Sequence, residues 1–109
     1  MDIIICGGGE IGGSAAEALA QRGENVTVVD TSEARLAYLE EHHDIAKFQG
    51  NASSAETLIT AGAASADAVI AATGVDEVNL VCATVAASLG AGRTLARVNH
   101  SLFLADRSE

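Results

Sequence analysis

The chain has 109 residues, 49% of them hydrophobic, and its 15 Asp and Glu against 6 Lys and Arg give a formal charge of −9. This length predicts one domain, and the apolar content excludes a disordered chain. The acidic balance excludes nucleic-acid binding through a basic face and docking on an anionic membrane surface. No apolar run reaches the roughly 18 residues of a transmembrane helix, so we expect no direct insertion into a membrane.

The amino-terminal segment and the cysteines indicate the cellular compartment. Residues 1–6 lack the basic residues and the length of a signal peptide. Cys6 and Cys82 lie far apart in the sequence and fit no metal or redox spacing, which favours two small core residues in a reducing environment. We therefore expect a cytoplasmic protein.

Short apolar runs predict five strands. The first is a continuous β-branched run, typical of a strand that is buried on both faces. The predicted strands are 2–6, 26–29, 45–48, 68–72 and 94–98.

Apolar residues at helical spacing predict four helices between these strands. The first helix follows the glycine turn and ends near Gly23, and Thr31 or Ser32 caps the second helix. The third begins in the capping-box pattern of residues 53–56 and ends near Gly62. The expected inward faces are Ile11, Ala15, Ala18 and Leu19 in the first helix, Leu36 and Leu39 in the second, and Val78, Val81, Cys82, Val85 and Leu89 in the fourth.

Strands that alternate with helices predict an α/β fold with a parallel sheet and right-handed crossovers. We expect a single-domain, Rossmann-like doubly wound sheet with the strand order 3-2-1-4-5. Its ligand crevice would lie at the carboxyl ends of the first and fourth strands, where the winding direction reverses.

A glycine-rich segment carries the strongest chemical signal. Residues 7–12 match the dinucleotide-binding pattern G-x-G-x-x-G, follow a predicted strand and open a predicted helix. The glycines permit a sharp turn, a close approach of pyrophosphate to the backbone and close helix packing, and the helix N-terminus offers N–H donors to an anion. A strand–helix turn without a ligand is the alternative. The candidate pyrophosphate residues are Gly7, Gly8, Gly9, Glu10, Ile11 and Gly12.

Asp30 ends the second predicted strand, 18 residues after Gly12, which is close to the spacing of about 20 for an acid that binds a ribose hydroxyl. A carboxylate there repels a 2′-phosphate, so NAD or NADH is favoured over its phosphorylated forms. A solvated turn aspartate is the alternative. Thr31 is a further candidate beside it, and Arg35 is within reach of the adenosine, although a solvated arginine explains Arg35 equally well.

Three further candidates lie directly after the fourth predicted strand and near the end of the fifth. Thr73 and Gly74 lie at the expected crevice, where a hydroxyl and bare backbone suit ribose or pyrophosphate, and an ordinary helix cap is equally plausible. Arg97 lies in an apolar segment and needs an acidic or phosphate partner, so ligand binding and a structural ion pair are balanced. For Asn51, a turn role is favoured.

The residues predict neither a catalytic group nor a metal site. Tyr38 and Lys47 lie away from the expected crevice, and no Ser-His-Asp arrangement is apparent. His42 and His43 close the second helix without a third ligand at metal spacing. We therefore expect a protein that is not an enzyme.

Six segments in a fixed order carry a resemblance that is more specific than the glycine loop. They are residues 2–13, 26–30, 49–53, 66–73, 76–79 and 96–98. Together they resemble the RCK domains, also called KTN or TrkA-N domains, and among these the Trk-type potassium-uptake regulators look most similar. Members of this family are cytoplasmic nucleotide-binding modules that dimerise and control potassium channels or transporters.

The resemblance implies a role for each candidate residue. It places residues 7–11 at the pyrophosphate, Asp30 at the adenosine ribose, and Thr73, Gly74 and Arg97 at the nucleotide. For residues 1–109 it implies a non-catalytic, NAD(H)-binding regulatory domain. It also implies a homodimer or higher homo-oligomer that acts on a potassium transporter or channel at the inner face of the membrane.

Two departures from the family pattern qualify this expectation. Glu10 occupies a position where ATP-responsive relatives often carry arginine, so ATP and ADP are less favoured than NAD or NADH. The chain ends soon after the fifth strand, which predicts a fragment of a longer regulator. Two other hypotheses stay open: the cofactor-binding portion of an NAD-dependent dehydrogenase, and a Rossmann-type interaction module that has lost its ligand.

Overall fold

The computed structural model describes residues 1–99, in which strands and helices alternate. The strands are β1 (Asp2–Cys6), β2 (Asn25–Asp30), β3 (Ala46–Gln49), β4 (Ala68–Ala71) and β5 (Thr94–Ala96). The helices are α1 (Glu10–Gln21), α2 (Glu33–His42), α3 (Ala55–Ala61) and α4 (Asp76–Leu89), and a 3₁₀ turn, Ala63–Ser65, follows α3.

The five strands form one parallel sheet in the order β3-β2-β1-β4-β5, which confirms the predicted Rossmann-like α/β fold. In the centre, Ile5 of β1 is paired with Val28 of β2 and with Ile70 of β4. The chain winds outward from β1 to β3 and then crosses back to β4. The winding direction therefore reverses between β1 and β4.

The side chains of β1 serve two separate cores. Ile3 and Ile5 pack with Leu36 and Leu39 of α2 on one face of the sheet. Ile4 and Cys6 belong to the cluster on the other face, with Leu58 of α3 and with Cys82 and Ala86 of α4. Because side chains alternate along a strand, an unbroken apolar run is what a strand between two helical layers requires.

The inward faces of two helices differ from the prediction. In α1 the buried residues are Gly12 and Ala16, whereas Ile11 is 50% exposed and Ala18 is exposed. The helix packs on the sheet through its smallest residues, which turns the larger Ile11 outward. In α4, Val81 is 45% exposed, because Cys82 and Ala86 face the core.

The helix caps follow the sequence with one correction. Ser32 caps α2, since its hydroxyl accepts a hydrogen bond from the Arg35 N–H at 3.2 Å. The capping box expected at residues 53–56 is wrong by one residue: Ser54 caps α3 and accepts from the Thr57 N–H at 3.4 Å. Ser53 is engaged instead in the preceding turn, where its N–H and hydroxyl both donate to Asn51 Oδ1.

Gly12 holds α1 against the loop that leaves β1. A Cβ atom at this position would overlap the carbonyl oxygen of Gly7, which is backbone and has no room to withdraw. A Cβ atom at the adjacent Gly13 would meet only Leu39 Cδ2 at 3.4 Å and Gly8 O at 3.6 Å, both ordinary contacts.

We predict that Gly12→Ala lowers the free energy of unfolding by more than about 3 kcal/mol or prevents folding. Gly13→Ala on the same helix is the matched control and should leave stability unchanged or raise it by up to about 1 kcal/mol. Urea unfolding followed by circular dichroism measures both. Equal stabilities of the two variants would contradict the packing described here.

Candidate functional site

A cleft of about 580 Å³ opens at the carboxyl ends of the strands. Its floor lies between β1 and β4, where the winding direction reverses and where parallel α/β sheets place their ligands. The loops after β1, β3 and β4, the end of β2 and the residue after β5 all contribute to its lining. The expected crevice is therefore present, and its volume lies in the range of small-molecule sites.

The loop after β1 has almost no space for side chains on its sheet side. Gly7 has φ +106°, and a Cβ atom there would lie 2.8 Å from the carbonyl oxygen of Ala72, at the end of β4. Gly9 differs, because its nearest neighbour is Arg35 Nη1 at 3.6 Å and it faces the cleft. A ligand can thus approach the backbone at Gly9.

The first turn of α1 borders the cleft with unused donors. Gly9 is the N-cap residue, and no side chain caps α1 or α4, whereas Ser32 caps α2 and Ser54 caps α3. The first N–H groups of a helix have no partner within it, and they carry a partial positive charge. Gly9, Glu10 and Ile11 all line the cleft, so this helix end is suited to bind an anion.

Asp30 places a buried carboxylate on the β2 side of the cleft. Its side chain is 7% exposed. Oδ2 accepts a hydrogen bond from the Gly8 N–H at 2.6 Å, and Oδ1 accepts one from the Ser32 N–H at 2.7 Å. The Arg35 guanidinium lies 3.8 Å from Oδ2. Each oxygen keeps a lone pair for a further donor, such as a sugar hydroxyl.

Thr73 and Arg97 form the opposite wall and are joined through Asn79. The fully buried Asn79 accepts hydrogen bonds at Oδ1 from the Thr73 N–H at 2.9 Å and from the Thr73 hydroxyl at 2.6 Å. Its Nδ2 donates to the carbonyl oxygens of Thr73 and Arg97 at 3.0 and 2.9 Å. The Arg97 guanidinium donates to the Thr73 carbonyl at 3.2 Å.

The family of this chain follows from a comparison with known domains. The family model of the TrkA-N domain matches residues 3–105. This chain belongs to the TrkA-N domain family.

Two curated relatives are named Trk system potassium uptake protein TrkA. The protein of Haemophilus influenzae is 37% identical over 110 residues, which cover 100% of this chain and 24% of the relative. The protein of Halomonas elongata is 42% identical over 105 residues, which cover 95% of this chain and 23% of the relative. The TrkA-N domain described here thus spans about a quarter of the length of these relatives.

Solved structures share the fold at low sequence identity. The NAD(P)-binding domain of an exopolyphosphatase-related protein from Archaeoglobus fulgidus has a TM-score of 0.81 at 19% identity, over 98% of this chain and 80% of that one. The Kef CTD of Shewanella denitrificans in its AMP-bound form scores 0.72 at 22% identity, over 85% and 55%. The GsuK channel bound to NAD scores 0.69 at 20% identity, over 86% and 21%.

Most predicted site residues of the TrkA-N domain come together in the cleft. Gly8 and Gly12 do not line it, because the Gly8 N–H is bonded to Asp30 and Gly12 packs under the loop. The predicted residues that line it are Gly7, Gly9, Glu10, Ile11, Asp30, Thr31, Arg35, Thr73, Gly74 and Arg97.

Sequence reasoning missed part of the lining and one supporting residue. The missed lining residues are Val29, Gly50, Asn51, Ala52, Ala72, Val75 and Val78. Asn51 has the turn role that was favoured for it, since its Oδ1 accepts from Ser53, yet it also borders the cleft. Its place directly after β3 was the available signal, because carboxyl ends of parallel strands share one edge. Nothing in the sequence distinguished Asn79 from an ordinary first-turn residue.

Within the described residues, the partner of the Arg97 guanidinium is a carbonyl oxygen and not a carboxylate. Within residues 1–99, the ion pairs closer than 4.0 Å are Met1 with Glu24, Arg35 with Asp30, and Lys47 with Glu40. Arg97 therefore has no carboxylate partner in the described part of the chain. Its guanidinium contacts a carbonyl oxygen and lines the cleft.

The remaining titratable candidates lie outside the cleft. Tyr38 stacks on His42 with ring centroids 4.1 Å apart on the outer face of α2, and in residues 1–99 no three ligand-type side chains are grouped as a metal site. Cys6 and Cys82 are buried in one core cluster, as expected. A hydrogen bond to Cys82, together with burial, raises the pKa of the Cys6 thiol.

Each helix of the described chain falls short of the length and apolarity that a membrane span requires.

We predict that Asp30→Ala lowers the free energy of unfolding by about 2–4 kcal/mol, since the N–H groups of Gly8 and Ser32 both lose a charged acceptor. Asp44→Ala serves as the control, because Asp44 is exposed, and it should change stability by less than about 0.5 kcal/mol. Urea unfolding of both variants checks this. A stability of Asp30→Ala equal to that of the control would show that the carboxylate does not hold the loop.

Proposed function

We propose that this TrkA-N domain binds NAD or NADH and regulates a potassium uptake system without catalysing a reaction. One observation carries the proposal: the buried Asp30 carboxylate and the uncapped N-terminus of α1 border the same cleft. A dinucleotide carries the complementary groups, a ribose diol that donates hydrogen bonds and a diphosphate that accepts them. The pairing is that of dinucleotide-binding α/β sheets.

Groups on both sides of the cleft favour a dinucleotide over a mononucleotide. Asp30 and Arg35 stand on the β2 side, and Thr73 and Arg97 stand on the β4–β5 side. The diphosphate would lie between them at Gly9, with one nucleoside toward each side. The GsuK channel bound to NAD and the Kef CTD in its AMP-bound form share the fold, which supports an adenine nucleotide as the ligand.

Two carboxylates favour NAD(H) over more highly charged nucleotides. Asp30 would repel the 2′-phosphate of NADP(H), because its oxygens lie where the ribose hydroxyls would donate. Glu10 stands in the first turn of α1 and lines the cleft, so its charge opposes the additional negative charge of the terminal phosphate in ATP or ADP. We therefore place ATP and ADP below NAD and NADH as ligands.

The names of the relatives support the regulatory role and a membrane partner. Both curated relatives are named potassium uptake proteins, which supports a potassium transporter or channel as the membrane partner. We propose that residues 1–109 act as one TrkA-N domain in a homodimer or higher homo-oligomer on the cytoplasmic side, held at the membrane by that partner. A nucleotide shifts such an assembly from one subunit arrangement to another only if it binds the two arrangements with unequal affinity. A tenfold difference in affinity corresponds to about 1.4 kcal/mol.

The names of the relatives favour a regulatory domain over the dehydrogenase hypothesis, and the lining of the cleft adds no argument for catalysis. The titratable side chains that line it in the described chain are Glu10, Asp30, Arg35 and Arg97. Hydride transfer to a carbonyl needs a positioned proton donor beside the nicotinamide, most often His, whereas Asp30 accepts hydrogen bonds from the Gly8 and Ser32 N–H groups. The reductases with a similar fold are less than 25% identical to this chain and bear only on the fold.

Calorimetric titration with NADH, NAD, NADPH, ATP and AMP tests the proposed function. We predict that NADH or NAD binds best and that NADPH binds at least about tenfold more weakly. Gly9→Val should weaken the preferred ligand at least about a hundredfold, because its side chain fills the place of the diphosphate, while folding survives since a Cβ atom at Gly9 meets only Arg35 at 3.6 Å.

Gly13→Ala is the control for that titration, because Gly13 does not line the cleft. It should bind as the wild-type chain does, and thermal unfolding should show that Gly9→Val is folded. The absence of heat with all five nucleotides would overturn the proposed function and favour an interaction module without a ligand. Normal binding by Gly9→Val would move the diphosphate elsewhere.

A further inference from the structure

Asn79 is the one polar side chain in the described core that is fully buried. It lies in the first turn of α4, where an exposed polar residue would serve the helix equally well. Burying an amide is costly unless its donors and acceptor are all engaged. Here they are engaged, and all its partners belong to Thr73 and Arg97.

These contacts connect three segments that the sheet alone does not fix. Thr73 lies in the loop after β4, and Arg97 lies beyond the last residue of β5. The ladder between the two strands ends with the hydrogen bond from the Arg97 N–H to Ala71 O at 2.8 Å. Past that point, the carbonyl of Arg97 is bonded to Asn79, and the Asn99 N–H donates to Asp76 Oδ1 at 3.3 Å. The start of α4 therefore sets the course of the chain as it leaves β5.

The same contacts determine where the cleft-lining groups stand. Oδ1 of Asn79 holds the Thr73 hydroxyl, and Nδ2 bridges the carbonyls of Thr73 and Arg97. The Arg97 guanidinium also donates a hydrogen bond to the Thr73 carbonyl, so Asn79, Thr73 and Arg97 are all connected to one another. Without the amide of Asn79, the loop at Thr73 and the segment after β5 would be free to separate. The Arg97 side chain would then no longer be held at the cleft.

We propose that Asn79 is a positioning residue, which fixes Thr73 and Arg97 as one preformed wall for the nucleotide. It does not line the cleft, so it acts through these two residues. The inference rests on the proposed function, since it concerns the same ligand. A preformed wall matters because the cost of ordering these side chains is then met in folding rather than in binding.

A double-mutant cycle separates positioning from general support of the fold. The variants are Asn79→Ser, Arg97→Ala and the pair, titrated with the nucleotide that the wild-type chain binds best. We predict that each single variant binds about tenfold more weakly and that the pair falls clearly short of the hundredfold loss of independent effects, because Asn79 acts in part through Arg97. Asn79→Ala, which buries no charge and suits a helix, replaces Asn79→Ser if the latter does not fold.

Ala86→Gly is the matched control, because Ala86 is buried on α4 in the core and does not line the cleft. It destabilises the helix without contacting Thr73 or Arg97, so it should bind nucleotide as the wild-type chain does. Independent effects, in which the pair binds about a hundredfold more weakly, would overturn the inference. Wild-type affinity in the folded Asn79 variant would overturn it as well. Failure of the wild-type chain to bind any nucleotide would instead count against the proposed function.

Discussion

The hydrogen bond between the Gly8 N–H and the buried Asp30 carboxylate is the interaction on which the site depends. At 2.6 Å it ties the loop that leaves β1 to the end of β2. The lack of a side chain at Gly12 lets the first turn of α1 pack on the same loop. The lack of a side chain at Gly7 lets this loop contact the end of β4. The loop is thus fixed from three sides, and the uncapped helix end stays at the edge of the cleft.

This arrangement explains how a chain with a formal charge of −9 can attract an anion. Charges spread over the surface are screened by salt within about 8–10 Å, whereas N–H groups act at contact distance. Arg35 and Arg97 add positive charge on the two sides of the cleft. Asp30 does not oppose this, because two backbone N–H groups neutralise part of its charge and because it faces the region expected for the ribose.

The strand order and the place of the cleft could be predicted from the sequence, because both follow from patterns between residues that are close together in the chain. Buried strands, glycine turns and the spacing from Gly12 to Asp30 each have a direct steric or hydrogen-bonding cause. The inward face of α1 was predicted wrongly, since the general preference for burying Ile11 yields to the close approach that Gly12 allows. The cap of α3 moved to Ser54 because Asn51 competes for Ser53. The contacts of Asn79 could not be predicted from the sequence, because its partners lie 6 and 18 residues away and meet it only in the folded chain.

In the proposed function, the first-turn N–H groups of α1 bind the diphosphate of a dinucleotide. Amide NMR of the ¹⁵N-labelled chain during titration with NADH tests this most directly. We predict that the largest saturable shifts fall on the amides of Gly9, Glu10 and Ile11, while those of Asp76 and Glu77 at the start of α4 move less. Saturable shifts that leave residues 9–11 unchanged would contradict it.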